Sequence, residues 1–348
     1  MTARRRGSVE GLVAAALFGS SAPLAKVLLG SVSPELLAGL LYAGAAIALS
    51  VAMRVRPRTT EASLQRRDLP FLAAVTITGG VLAPVAMLTG LDRTSGVAGS
   101  LLLNLEAPFT ILIALLVFGE FLDRGSKAAS VLIVGGAMVL ALGPGAIRAD
   151  AVGAALIATA CALWAIDNNL TQRLTDRDPF AIVRAKASVA ALANLTIATA
   201  RGGRWPHPST IAAALALGAA AYGLSVLLDA YALRHVGAAR EAALFATGPF
   251  FGALAAVPLL GESITASDVL AAAAMACGIT VLVRAQHAHP HTHDALAHEH
   301  RHRHDDPHHA HAHEPAVVGW HSHPHQHEPV THAHPHDSDL HHRHEHGV

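Results

Sequence analysis

Apolar residues run along this chain in long unbroken blocks, and polar residues collect between the blocks or at the C-terminal end. A helix needs about 20 apolar residues, within a range of about 17–25, to cross the hydrocarbon core of a bilayer. Ten blocks meet that length or come close to it: 8–29, 35–53, 69–90, 96–118, 127–143, 151–171, 180–200, 210–233, 241–260 and 266–284. The third, LPFLAAVTITGGVLAPVAMLTGL, contains no charge, and the fifth is the shortest. Small residues are dense, as in AAALALGAAAYG and AAAAMACG, and such residues let helix backbones approach closely within lipid. The pattern predicts an all-α integral membrane protein with ten transmembrane helices.

Composition sharpens this reading. Hydrophobic residues make up 52% of the 348 positions and charged residues only 14%. The formal net charge of zero says little, because the charges are segregated along the chain. All of the 25 histidines except His207 and His235 lie beyond Arg284, in a polar C-terminal tail. Cys161 and Cys277 fall inside apolar runs, where thiols are inert, and they support neither a disulfide framework nor a cysteine-based zinc motif. The start, MTARRRGSVEGLVAAALFGSSAPLA, has the basic-then-apolar look of a secretory signal. Its apolar run continues to Leu29 and further spans follow, so a retained first helix is expected.

Short loops rich in Lys and Arg lie on the cytoplasmic side. Arg4, Arg5, Arg6 and the loop RVRPRTTEASLQRRD fall on one side, with Arg124, Lys127, Arg173, Arg177, Arg234, Arg240 and Arg284. The other side carries Arg93, Arg148, Arg201 and Arg204. This bias places the N-terminus in the cytoplasm of a plasma-membrane protein. An even number of spans brings the histidine tail to the same side.

The chain also repeats itself. LLLNLEAPFTILIALLVFGE ends at Glu120 and AALFATGPFFGALAAVPLLGE ends at Glu262, each with an early Pro and a terminal Gly-Glu. GLDRTSGVAG and ALRHVGAARE precede them, and ALFGSSAPLAK corresponds loosely to ALWAIDNNLTQ. Five spans per half is an odd number, so the halves must be inverted relative to each other, as in many secondary transporters. The expected organisation is a cytoplasmic N-terminus at 1–7, repeats at 8–147 and 148–284, and a disordered His-rich tail at 285–348. The doubled plan, the paired Pro…Gly-Glu helices and LFGSSAPLAK resemble the EamA-type drug/metabolite transporters, with Phe18 in place of the family's usual Trp. The resemblance implies a ten-helix carrier with a central cavity lined by the first four helices of each half, and peripheral fifth and tenth helices. It does not name a cargo.

Ionisable groups inside a bilayer cost roughly 2.5–3.5 kcal/mol on insertion scales and are functional candidates by default. Glu106 sits mid-span just before Ala107-Pro108, where the proline frees a carbonyl. Its carboxylate is suited to bind a substrate amine or to titrate with a coupling proton. Asp167, with Asn168 and Asn169, and Asp229 in SVLLDAYAL are further candidates for substrate binding or coupling. Asn104 lies near Glu106 in sequence but on another face; Lys26 is placed to snorkel to the headgroups, while the resemblance implies a basic residue near a gate there. Arg184 and Lys186 are expected at the cytoplasmic interface, and Glu120 and Glu262 as structural residues. No G-x-x-x-x-G-K-[ST] loop is present, which points to a gradient or exchange as the driving force and away from an enzyme.

The tail lacks the apolar periodicity needed to build a core. Its alternating histidines suit adaptable chelation of Zn, Ni, Cu or Co. The candidate ligands are His291, His293, His300, His302, His304, His321, His323, His325, His327, His332, His334 and His336. No cofactor is required by the rest of the chain. Three functions are compatible with these residues. The first is secondary transport, expected to be export, of small organic metabolites or drugs, with a metal-binding tail. The others are divalent-metal export and a membrane-anchored metal buffer or sensor. Expected partners are the lipid bilayer, a small-molecule substrate and transition-metal ions, with no nucleic acid; a homodimer stays open.

Overall fold

The structure is a computed structural model. It describes residues 3–55, 62–118, 124–142, 150–174, 177–236 and 238–284, together with the tail segments 287–293, 296–302, 321–327 and 330–336. Ten helices among the described residues are long and apolar enough to cross a membrane: α1 (Arg5–Leu29), α2 (Pro34–Val55), α3 (Arg66–Arg93), α4 (Gly96–Val117), α5 (Arg124–Ala141), α6 (Ala151–Thr171), α7 (Pro179–Ala200), α8 (Pro208–Ala232), α9 (Glu241–Leu260) and α10 (Ala266–Arg284). The blocks of the sequence and the helices agree in number and nearly in limits.

Local chemistry starts these helices. Pro34 and Pro179 open α2 and α7, where the missing N–H costs nothing. Ahead of them Ser33 accepts the Leu36 N–H at 3.4 Å and Asp178 accepts the Phe180 N–H at 3.0 Å. Within the spans, Thr76, Thr78, Thr89, Thr110 and Thr159 each turn the hydroxyl back to the carbonyl four residues earlier. That bond satisfies a polar group which lipid would leave unpaired.

The packing has an internal order. α1 packs on α8 and α9, and α6 packs on α3 and α4. α2 packs on α7 and α8, and α7 packs on α2 and α3. α4 meets α9, and α5 meets α10. Adding five to every span number returns the same set of pairs. Both α3 and α8 also widen into a π-helical turn, at Thr76–Leu82 and Ala219–Leu224. A π-bulge leaves backbone carbonyls free of their usual partners and is common at functional sites.

The ends of the helices sort onto two faces. α1 begins and α10 ends on what we call the terminal face. There Glu10 of α1 pairs with His235 after α8 at 2.7 Å, and Asp68 at the start of α3 pairs with Arg177 before α7 at 2.8 Å. On the opposite face Arg93 of α3 bonds Asp150 before α6 at 2.7 Å, and Arg201 after α7 bonds Glu35 of α2 at 2.6 Å. Val152 N–H, and then the Arg93 guanidinium, hold the Asp150 carboxyl below the usual carboxylate range.

Two apolar cores hold the bundle. One gathers Leu29, Leu36, Leu37, Leu41, Met87, Leu88 and Leu91 from the end of α1, the start of α2 and the end of α3. The other gathers Val97, Leu101, Ile133, Leu140, Ile157, Ala256 and Met275 from α4, α5, α6, α9 and α10. Both lie mainly in the half of the bundle toward the opposite face.

Four tail segments are laid out as strands: β1 (His287–His293), β2 (Leu296–His302), β3 (His321–His327) and β4 (Val330–His336). β1 pairs antiparallel with β4, and β2 with β3. Alternation of histidine with other residues has the period of a strand, so local pairing is compatible with it. Two-stranded ladders without an apolar face remain marginal on their own.

Candidate functional site

The site grows from the π-turn of α3. Gly79 O accepts the Tyr42 hydroxyl of α2 at 2.9 Å and the Trp164 indole N–H of α6 at 3.1 Å. Gly80 O accepts the Asn194 amide of α7 at 3.0 Å. Three spans thus converge on two carbonyls that an ordinary α-helix would have used internally. Glycine is required at position 79, because a Cβ there would fall on the carboxylate of Asp167.

Asp167, 4% exposed, forms an ion pair with Lys186 of α7 through Oδ2. Its Oδ1 is buried and without a partner, as is Asn194 Oδ1. The next residue on α6, Asn168, donates to Glu106 Oε1 of α4 at 2.7 Å. Glu106, Asp167, Asn168, Lys186 and the two glycine carbonyls therefore form one polar group inside the membrane, built by α3, α4, α6 and α7. Beside it stands an aromatic group. Tyr42 and Tyr222 lie 5.8 Å apart, Phe18 and Tyr222 also 5.8 Å, and Phe18 and Phe245 5.2 Å. Tyr42 belongs to both groups.

Not every sequence-predicted residue joins this group. Asp229 shares a side-chain hydrogen bond with Glu241 at the start of α9. Such a bond between carboxyl groups needs a proton on one of them. Asn104 turns back to Leu101 O at 2.9 Å and contacts Met275 Sδ. The Lys26 ammonium donates to Leu91 O at 2.7 Å, inside the bundle. Lys186 was expected at the membrane interface, and the structure corrects that: it is the partner of Asp167. Its position offered a signal, since seven residues after Pro179 at 1.5 Å each carry it about 10 Å into the helix. Glu120 and His304 lie outside the described residues, as do the side chains of the other tail histidines. Among the described residues no group of three His, Cys, Asp or Glu side chains could hold a metal ion.

The EamA-like transporter family matches residues 5–142 and again residues 151–284. The chain belongs to that family. An uncharacterized transporter of Methanothermobacter thermautotrophicus is 31% identical over 294 residues, covering 79% of this chain and 85% of its own. One solved crystal structure superposes with a TM-score of 0.57 at 19% identity, covering 79% of this chain and 97% of the other, and shares the fold. Membership makes the chain a multi-pass membrane protein of a transporter family.

Proposed function

We propose that this EamA-like chain is a secondary carrier that moves small organic solutes outward across the plasma membrane by alternating access. In this reading the two family repeats are inverted copies, both termini are cytoplasmic, and the site lies between the copies. The observation that carries the proposal is the polar group of Glu106, Asn168, Asp167 and Lys186 inside the membrane, joined through Tyr42 to a run of four aromatic rings. Buried charges are costly in a membrane, and such residues mark substrate or ion paths. With Lys186 engaged by Asp167, Glu106 is the carboxylate left to meet a solute, and the rings supply an apolar surface beside it. An organic ammonium suits both.

The cytoplasmic tail, in the same proposal, chelates Zn, Ni, Cu or Co through its alternating imidazoles and acts as a buffer or sensor, not as the path of the cargo. Purified full-length protein and a version ending at Arg284 are to be compared in proteoliposomes, with labelled amine-bearing organic solutes and with the four metal ions. Flux of an organic amine that survives truncation and falls at least about tenfold in Glu106→Gln supports the carrier. Metal flux in place of organic flux, lost in the same variant, replaces it with a metal exporter. Metal binding without any flux leaves an anchored buffer.

A further inference from the structure

The repeat relates the two faces of the bundle, yet they are packed differently. Near the opposite face, the end of α1 packs on the end of α3 and the start of α4, and the end of α9 packs on the start of α4. The inverted repeat demands counterparts near the terminal face: the end of α6 against the end of α8 and the start of α9, and the end of α4 against the start of α9. Among the described residues none of these three forms an extended contact. The two apolar cores lie on the packed side, and the polar group faces the half they leave. Among the described residues the bundle is closed toward the opposite face and parted toward the terminal one.

One side chain stands across the closed seam. Glu262, just beyond α9, accepts the Gly96 N–H at 2.7 Å and the Val97 N–H at 2.9 Å with its two carboxylate oxygens. A helix begins with unpaired N–H groups. In α4 the next two bond to Ser95: Ala98 N–H to its hydroxyl at 3.0 Å and Gly99 N–H to its carbonyl at 2.8 Å. Half of that set is therefore completed by the other repeat, and the N-terminal partial charge of α4 favours the carboxylate. Lys26 lies within electrostatic reach of Glu262 and bonds Leu91 O, tying the end of α1 to the end of α3.

We infer that Glu262 is the lock of the gate on the face opposite the termini, with Lys26 as its second bolt, and that these bonds break each time that face opens. The inference rests on the alternating-access reading. It assigns Glu262 a gating role, beyond the structural one its place at a helix end suggested. Opening removes two charge-assisted hydrogen bonds, so their loss shifts the balance between the two conformations without any solute.

The test is side-specific labelling with a membrane-impermeant maleimide, in full-length protein whose Cys161 and Cys277 are replaced by alanine. Ser100→Cys reports on the closed half, where Ser100 is fully buried, and Thr171→Cys on the terminal end of α6. With Glu262→Gln we expect Ser100→Cys to be labelled at least about tenfold faster from the opposite face and Thr171→Cys to be labelled more slowly, given the strength of hydrogen bonds to a charged acceptor. Lys26→Met should act in the same sense and less strongly. Arg201→Ala, which removes an exposed pair at the same face, should change neither rate. Faster labelling at both positions means that Glu262 only stabilises the fold, and overturns the lock. Unchanged labelling in both Glu262→Gln and Lys26→Met overturns it as well. No solute enters the assay, so failure of the lock and failure of the carrier reading are read separately.

Discussion

The π-turns of α3 and α8 occupy equivalent places in the two halves and have been furnished in opposite ways. Around α3, Trp164, Tyr42 and Asn194 bond to carbonyls, and Asp167 pairs with Lys186 close by. Around α8, Phe18 stands where the repeat puts Trp164, and its ring meets Tyr222 of the π-turn. Glu106 in LEAPF likewise corresponds to Thr247 in ATGPF. One backbone device therefore serves as a polar anchor in one half and as an aromatic wall in the other. In the proposed reading, inverted copies give the carrier its two conformations, while unlike side chains on those copies give it a single asymmetric site.

Breaking the polar side should cost most. Lys186→Met leaves Asp167 buried without its partner, a loss of about 3–5 kcal/mol that should appear as a collapse of the melting temperature in detergent. Adding Asp167→Asn should recover most of it. Failure of the single substitution to destabilise would mean that the ion pair is not what holds this half together. Next comes Gly79→Ala, whose Cβ has no room beside the Asp167 carboxylate; overpacking of this kind costs about 1–3 kcal/mol. On the aromatic side, Tyr222→Phe keeps the ring stack and removes only the hydrogen bond with Ser21. About 1 kcal/mol should go, read from the same melts.

The smallest effect concerns acid. The Asp150 carboxyl titrates lower in the folded protein, so its contribution is present above the ordinary carboxylate pKa, about pH 4, and is lost as pH falls through the lowered value. Wild type should therefore lose slightly more melting temperature between pH 5 and pH 3 than Asp150→Asn does. Equal losses would show that the α3–α6 pair with Arg93 adds nothing at the surface, as exposed pairs often do not.

Much of the polar group was visible before any fold. Glu106, Asp167 and Asn168 stand out because a charge or amide inside an apolar block is rare and costly. Lys186 did not stand out in the same way, since a lysine two turns inside a helix can also reach the headgroups with its long side chain. Asp229 carried the same sequence signal as Asp167, yet it bonds Glu241 and not the Glu106 group. Helical periodicity tells which way a side chain points on its own helix, but not which neighbour stands there.

Sequence alone determined the ten helices, the division into two similar halves and the separate character of the histidine tail. Each follows from the cost of placing polar groups in hydrocarbon, which is local and additive along the chain. Tertiary structure decided the pairing of Lys186 with Asp167, the convergence of three spans on the carbonyls of Gly79 and Gly80, and the capping of α4 by Glu262. Those contacts join residues far apart in the chain. They depend on how helices of like composition cross, and hydropathy carries no information about crossing.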